Sequence, residues 1–189
     1  MIKYLLLIVA CVGVCQAKAD TLTVSEPILC GETPDAVYSC LGNPKIFSSA
    51  IPSQCKVSVS ECERMKCIFK KNGFMSGANV DKSKVVAHFE RFAADHPEWA
   101  PAVQLVKTNC LTLDLPAMGI YINCPAYDVA HCALTYFLKG AQSSQWSTSQ
   151  ACDYPRRWAA SCPVCPSDCI APAVPIGSCF ACRLLPQSP

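Results

Sequence analysis

The residues in this chain most able to do chemistry are its sixteen cysteines. Cys162-Pro-Val-Cys165 and Cys179-Phe-Ala-Cys182 are two CxxC pairs with Cys169 between them. As thiolates, four such sulfurs could close a tetrahedral zinc site, and either pair alone could exchange disulfides. Three histidines, His88, His96 and His131, titrate close enough to neutrality to act as bases. His88 lies beside an apolar helical stripe, His96 falls at a helix start, and His131 is expected to be exposed. The carboxylates Glu61, Glu63, Glu90 and Asp95 each have lysine or arginine nearby, so they read as solvated helix faces, not as a general acid/base pair. No nucleophile elbow, HExxH or phosphate-binding loop is present.

The start of the chain decides between these chemistries. Lys3 is followed by an almost wholly apolar run from Tyr4 to Val14 and then by Ala17-Lys18-Ala19, the order of a secretory signal peptide. Residues 1–19 are expected to be removed, leaving a chain that begins at Asp20. The apolar run is too short to span a bilayer, and no later stretch is long and apolar enough to insert in one. Cys11 and Cys15 fall in the leader, which leaves fourteen of the sixteen cysteines. These are Cys30, Cys40, Cys55, Cys62, Cys67, Cys110, Cys124, Cys132, Cys152, Cys162, Cys165, Cys169, Cys179 and Cys182. In an exported chain an even set of this kind reads as a disulfide framework, not as a metal site. A Cys/His nucleophile needs a thiolate, which an oxidised cysteine does not supply. The expectation is therefore no catalytic residue, no metal and no cofactor.

Charge narrows the partners. The formal net charge is +2, and Lys3 and Lys18 carry it away with the leader. The neutral remainder has no basic stripe for nucleic acid and no polybasic amphipathic helix for a membrane surface.

The elements that position these residues are mostly helical. Gly31, Pro34, Gly42, Pro44 and Pro52 break residues 20–56 into turns, with a short helix near Asp35–Leu41. A helix is expected from Ser58 to Lys71, stopped by Asn72-Gly73. Asp81 caps the next, whose stripe is Val85, Val86, Phe89, Phe92 and Ala93. Pro97 opens one that presents Trp99, Ala102, Val103, Val106 and Cys110 on one face. Pro125 opens another, with Val129, Cys132, Ala133, Tyr136 and Phe137 aligned. A last helix is expected near Ser147–Cys152 or Arg156–Ser161, broken by Pro155. Leu111–Asn123 reads as a short helix or buried connector. The domain spans residues 20–162, and residues 163–189 form a cysteine- and proline-rich tail stapled over it.

Cross-linked helices can hold open a space that an unlinked bundle would close, and such pockets are mainly apolar and aromatic. The candidate ligand-binding residues are Phe69, Phe74, Met75, Val85, Phe89, Phe92, Trp99, Val103, Val106, Met118, Tyr121, Tyr136 and Phe137. Tyr121, Tyr136 and Lys107 are candidate polar anchors.

The stretch Cys62-Glu-Arg-Met-Lys-Cys67-Ile-Phe-Lys-Lys-Asn-Gly-Phe-Met, followed by Val80-Asp81-Lys82, resembles the insect odorant-binding proteins. His96-Pro97-Glu98-Trp99-Ala100-Pro101, Cys110, Cys124-Pro125, Cys132, Cys152 and Cys162-Pro163 extend the resemblance over Cys55 to Pro163. The extra cysteines, the proline after a late one and the long tail are similar to the Plus-C subgroup. Four residues separate Cys62 from Cys67 where the family usually has three. The resemblance implies an all-α bundle of about six helices around an apolar cavity. It implies a secreted, extracellular carrier of small hydrophobic molecules such as odorants or pheromones, monomeric or homodimeric, with a membrane receptor as a further partner. It also implies a pairing of Cys67 with Cys30 or Cys40, Cys62 with Cys124 or a later cysteine, and Cys110 with Cys132 or a later one. The competing expectation is a secreted interaction module or protease inhibitor acting through the tail.

Overall fold

The structure is a computed structural model, and it describes residues 27–42, 46, 50–55, 60–183 and 185. The expected signal peptide lies outside the described residues. Seven α-helices are described: α1 (Ala36–Cys40), α2 (Ala50–Ser53), α3 (Glu61–Lys71), α4 (Lys82–Asp95), α5 (Ala100–Cys110), α6 (Pro125–Gly140) and α7 (Asp153–Ser161). The all-helical expectation holds apart from one small hairpin of β1 (Met75–Ser76) and β2 (Asn79–Val80). No described helix is long and apolar enough to cross a membrane.

Local chemistry sets the helix ends. The Ser60 hydroxyl accepts the Glu63 amide proton at 3.3 Å and starts α3 three residues later than expected. Glu61 and Glu63 in its first turn and Lys70 and Lys71 in its last complement the helix dipole. Asn72 ends it, and Gly73 turns the chain with φ of 74°. The hairpin that follows went unforeseen. Its two central residues are Gly77 and Ala78, and Gly77 supplies the positive φ that the tight turn needs. Asp81 caps α4 as expected, accepting from the Lys84 amide at 3.3 Å and from the Ser83 hydroxyl at 2.6 Å. These bonds hold its carboxyl below the usual carboxylate range. Pro97 starts a single 3-10 turn, Pro97–Trp99, that leads into α5.

Pro155 does not break α7, contrary to expectation. It is the third residue of that helix, in the first turn, where its missing N–H has no intrahelical partner to lose. Lys139 of α6 donates to the carbonyls of Ala160 and Cys162 and so covers the open end of α7.

The core is built on α5 against α6. Gly140 allows a close approach there, since a Cβ on it would lie 3.1 Å from both Ala102 Cα and Cβ. Phe137 of α6 gathers Trp99, Phe92 and Phe89 at ring-centroid distances of 5.3, 5.8 and 5.9 Å.

All fourteen described cysteines are oxidised. Cys110–Cys132 locks α5 to α6, and Cys62–Cys124 locks α3 to the start of α6. Cys30–Cys162 and Cys40–Cys152 tie the N-terminal segment to the two ends of α7. Cys67 corrects the pairing that the resemblance implied, because it bonds Cys55 and not Cys30 or Cys40. The chain between them closes only a short loop, from the end of α2 into the middle of α3. Cys165–Cys182 and Cys169–Cys179 are nested within the tail. The two CxxC pairs are therefore spent in bridges and hold no thiolate.

The connector Leu111–Asn123 is irregular. The tail docks on it, with the Cys179 and Phe180 amides donating to the carbonyls of Gly119 and Ala117 at 3.0 and 3.1 Å. Gly119 also lies against the ring of buried Tyr127, where a Cβ would come within 2.4 Å of Cε1. Gly119→Ala is therefore expected to destabilise the oxidised protein by about 1–3 kcal/mol through overpacking. A lowered midpoint in urea with an unchanged slope would establish it; an unchanged midpoint would show that the connector yields freely.

Candidate functional site

A pocket of about 210 Å³ lies between α3, α4 and the N-terminal half of α6. Met65 and Phe69 come from α3, Phe74 from the turn after it, and Val85 and Phe89 from α4. Helix α6 contributes Val129, Ala130, Ala133 and Leu134. The space exists because α6 places two alanines opposite three phenylalanine rings. Farther along α6 the same gap is filled by Phe137. The rings of Phe69 and Phe74 meet edge to face at 5.7 Å and 86°, so that wall is rigidly packed.

Ile46 completes the described wall. His88 holds it in place, because the Ile46 carbonyl accepts a hydrogen bond from His88 Nε2 at 2.8 Å. Burial pushes the His88 imidazole below its usual pKa, against that hydrogen bond. Both charge states of His88 can donate to a carbonyl, so the contact survives its titration.

His131 is the one polar side chain among the described lining residues. It was expected to be exposed and is instead half-buried, its ring 4.2 Å from that of Tyr127. Burial lowers its pKa to about 4, so the imidazole is neutral in the pocket wall at physiological pH. His131 and Leu134 also border a second, more polar depression of about 230 Å³ formed with Glu32, Thr33, Tyr38 and Ser167. These two side chains thus separate an apolar space from an outer polar one.

Of the thirteen residues singled out from the sequence, Phe69, Phe74, Val85 and Phe89 line the pocket. Phe92, Trp99, Val103, Val106 and Phe137 are buried in the core instead. Met75 sits half-buried on the hairpin, and Tyr136 is half-buried against the core. Met118 and Tyr121 belong to the connector, where Tyr121 packs on Tyr127 at 4.9 Å. Lys107, a candidate anchor, is engaged with Glu90 at 2.5 Å. Sequence reasoning missed Ile46, Met65, Val129, Ala130, His131, Ala133 and Leu134 as lining residues. The available signal was the pair of small residues on the α6 face, since a cavity needs small side chains as much as large ones.

The tail presents a different surface. Ile176 is 95% exposed in the loop closed by Cys169–Cys179, next to Gly177 with φ of 91°.

No protein-family model matches the chain, and neither does any curated protein or solved structure.

Proposed function

We propose that this protein is a secreted carrier that reversibly binds a small hydrophobic molecule, of the odorant or pheromone kind, in the pocket between α3, α4 and α6. The observation that carries the reading is a 210 Å³ space walled by aromatic and aliphatic side chains with a neutral His131 as its polar contact. The resemblance of Cys55–Pro163 to odorant-binding proteins supports it. Seven bridges are consistent with an oxidising, extracellular setting. No bond is made or broken in this reading; transfer from water to the pocket is the whole mechanism.

Size limits the cargo. At the volume a water molecule takes in liquid, about 30 Å³, the space holds about seven heavy atoms. Burying roughly 250 Å² of such a molecule contributes about 6 kcal/mol before the cost of association, so the dissociation constant is expected to lie in the high micromolar to millimolar range. Toluene and indole are therefore the first probes, read by calorimetry or by methyl chemical shifts of the oxidised protein. Saturable one-to-one binding is expected, weakened at least tenfold in Ala133→Leu, whose larger side chain occupies the space. Absence of binding by the correctly bridged chain would remove the carrier reading. It would favour the second one, in which exposed Ile176 on its closed loop docks into an apolar pocket of a protease.

A further inference from the structure

A further cleft, of about 360 Å³, opens beside Val129, which borders both it and the apolar pocket. Its lining is mixed. Val80, Leu113, Leu115, Ile122 and Val129 are apolar, whereas Asn79, Lys82, Asp114, Asn123 and Asp128 are polar or charged.

Asp128 stands apart from the other polar groups there. It is only 5% exposed. One carboxyl oxygen accepts the Met118 amide proton at 2.8 Å and so pins the connector. The other has no hydrogen-bond partner among the described residues, and no described cation lies within ion-pair reach. Lys82, the cation among the residues lining the cleft, is committed to Asp114 at 3.0 Å and to the Leu113 carbonyl at 2.8 Å. A carboxylate that is largely buried but has one oxygen open to the cleft can accept a hydrogen bond from a molecule seated there. A protein that needed only the Met118 bond could use asparagine there at no electrostatic cost. One carboxylate is too few ligands for a divalent cation, and no group of three His, Cys, Asp or Glu side chains gathers among the described residues to complete a metal site. The complement that suits such an oxygen best is a single hydrogen-bonding positive charge.

We propose that this cleft binds a small protonated amine with a hydrocarbon body, its ammonium group donating to the open oxygen of Asp128 and its body covered by Val80, Leu115, Ile122 and Val129. The site is separate from the apolar pocket, and the proposal holds whether or not that pocket carries a ligand. Position supports the anionic form of Asp128. It lies in the first turn of the sixteen-residue α6, where the helix dipole favours negative charge. Burial raises its pKa to about 6, so it is mostly ionised at neutral pH, and an arriving ammonium would hold it so.

The test uses the full oxidised chain and cyclohexylammonium or phenethylammonium as probes, with cyclohexanol as the uncharged match. One-to-one binding is expected at pH 7.5, with cyclohexanol at least tenfold weaker. Lowering the pH to 5 protonates Asp128 and is expected to weaken the amine about tenfold, given a carboxyl that titrates near 6. Of the neighbouring groups, Tyr127 stays neutral across that range with its pKa raised by burial, and His131 titrates lower, at about 4. Asp114 is exposed and paired with Lys82. Asp128→Asn keeps an acceptor for the Met118 amide and is expected to cost at least tenfold in amine affinity while toluene binding is unchanged. Ile122→Lys, at an exposed position on the cleft rim, is expected to do the same without touching the carboxylate. No binding of either amine at millimolar concentration would overturn the proposal. Affinity that is flat from pH 7.5 to 5, or that survives both substitutions, would overturn it as well.

Discussion

Phe137→Ala is expected to cost about 3–5 kcal/mol of folding stability, the range for removing a fully buried phenylalanine. Phe137 is 1% exposed and is the one ring that touches Trp99 of the turn before α5, Phe92 and Phe89 of α4, and its own helix α6. The Cys110–Cys132 and Cys62–Cys124 bridges hold α6 against α5 and α3, so the helices cannot collapse fully into the gap. A void on the order of 100 Å³ is expected to persist. Because Phe89 both touches Phe137 and lines the apolar pocket, that void adjoins the pocket. The variant should therefore take up a two-ring probe such as naphthalene that the parent protein excludes. Phe137→Leu keeps most of the volume and should lose less than half as much stability. Denaturant unfolding of the bridged protein measures the first effect, and calorimetry with naphthalene measures the second. A stability loss below about 1 kcal/mol would mean that Phe137 is not the keystone of the α4–α5–α6 contact. Exclusion of naphthalene despite the large loss would mean that α6 closes on α4 in spite of its bridges.

The parts of this fold that were legible in the sequence are those fixed by local chemistry. Asp81 as a cap, Asn72-Gly73 as a stop, and Pro97 and Pro125 as openers each depend on backbone groups within one turn, and each lies where expected. The hairpin was missed because two-residue strands leave no alternation to read. Gly77 was its only signal. The placement of Pro155 was misread because a proline inside a helical stretch is disruptive only after the first turn, and the first residue of α7 was not known.

The candidate site was half legible for a different reason. Periodicity identifies which side chains face inward, and all the large ones chosen from α4 and α6 except Tyr136 do. It does not separate side chains that fill a core from those that wall a space. Phe89 and Phe92 belong to one stripe, yet only Phe89 reaches the pocket. The difference lies across the gap, where α6 carries Ala130 and Ala133 at one level and Phe137 at another. That is a property of two helices brought together from distant sequence, as is the pairing of Cys67 with Cys55. Asp128 and His131 were illegible in the same way. Nothing in Ala126-Tyr-Asp-Val-Ala-His131 says that Asp128 is buried and His131 half-buried; a charged residue every few positions usually marks a solvated face.

Those two residues lead to the second large effect. Burial moves them in opposite directions, Asp128 up to about 6 and His131 down to about 4. The native state favours neutral His131, whereas the unfolded chain protonates it near 6.5. As the pH falls from 6.5 towards 4, the unfolded state takes up the extra proton and native stability is lost, by about 3 kcal/mol at most. Asp128 works the other way. The native state favours its protonated form, and the unfolded chain gives up that proton near 4. As the pH falls from 6 towards 4 the native state is the one that binds the proton, and stability rises by about 2 kcal/mol once solvent at the cleft is allowed for. Over this window the two nearly cancel, so the pair's joint contribution is almost flat although each member's is steep. Asp128→Asn removes one slope and exposes the other. Its stability relative to the parent is expected to be about 1–3 kcal/mol higher at pH 7.5 and to converge on the parent's near pH 4. His131→Gln should show the mirror image, losing its disadvantage or gaining stability as the pH drops. Expressing each as a difference from the parent at every pH cancels the remaining carboxylates, and urea titrations at pH 4, 5, 6 and 7.5 are sufficient. Parallel curves for parent and Asp128→Asn would show that Asp128 ionises as freely in the native state as in the unfolded chain. In that case the carboxylate is solvated, and the electrostatic case for an amine site beside it is lost as well.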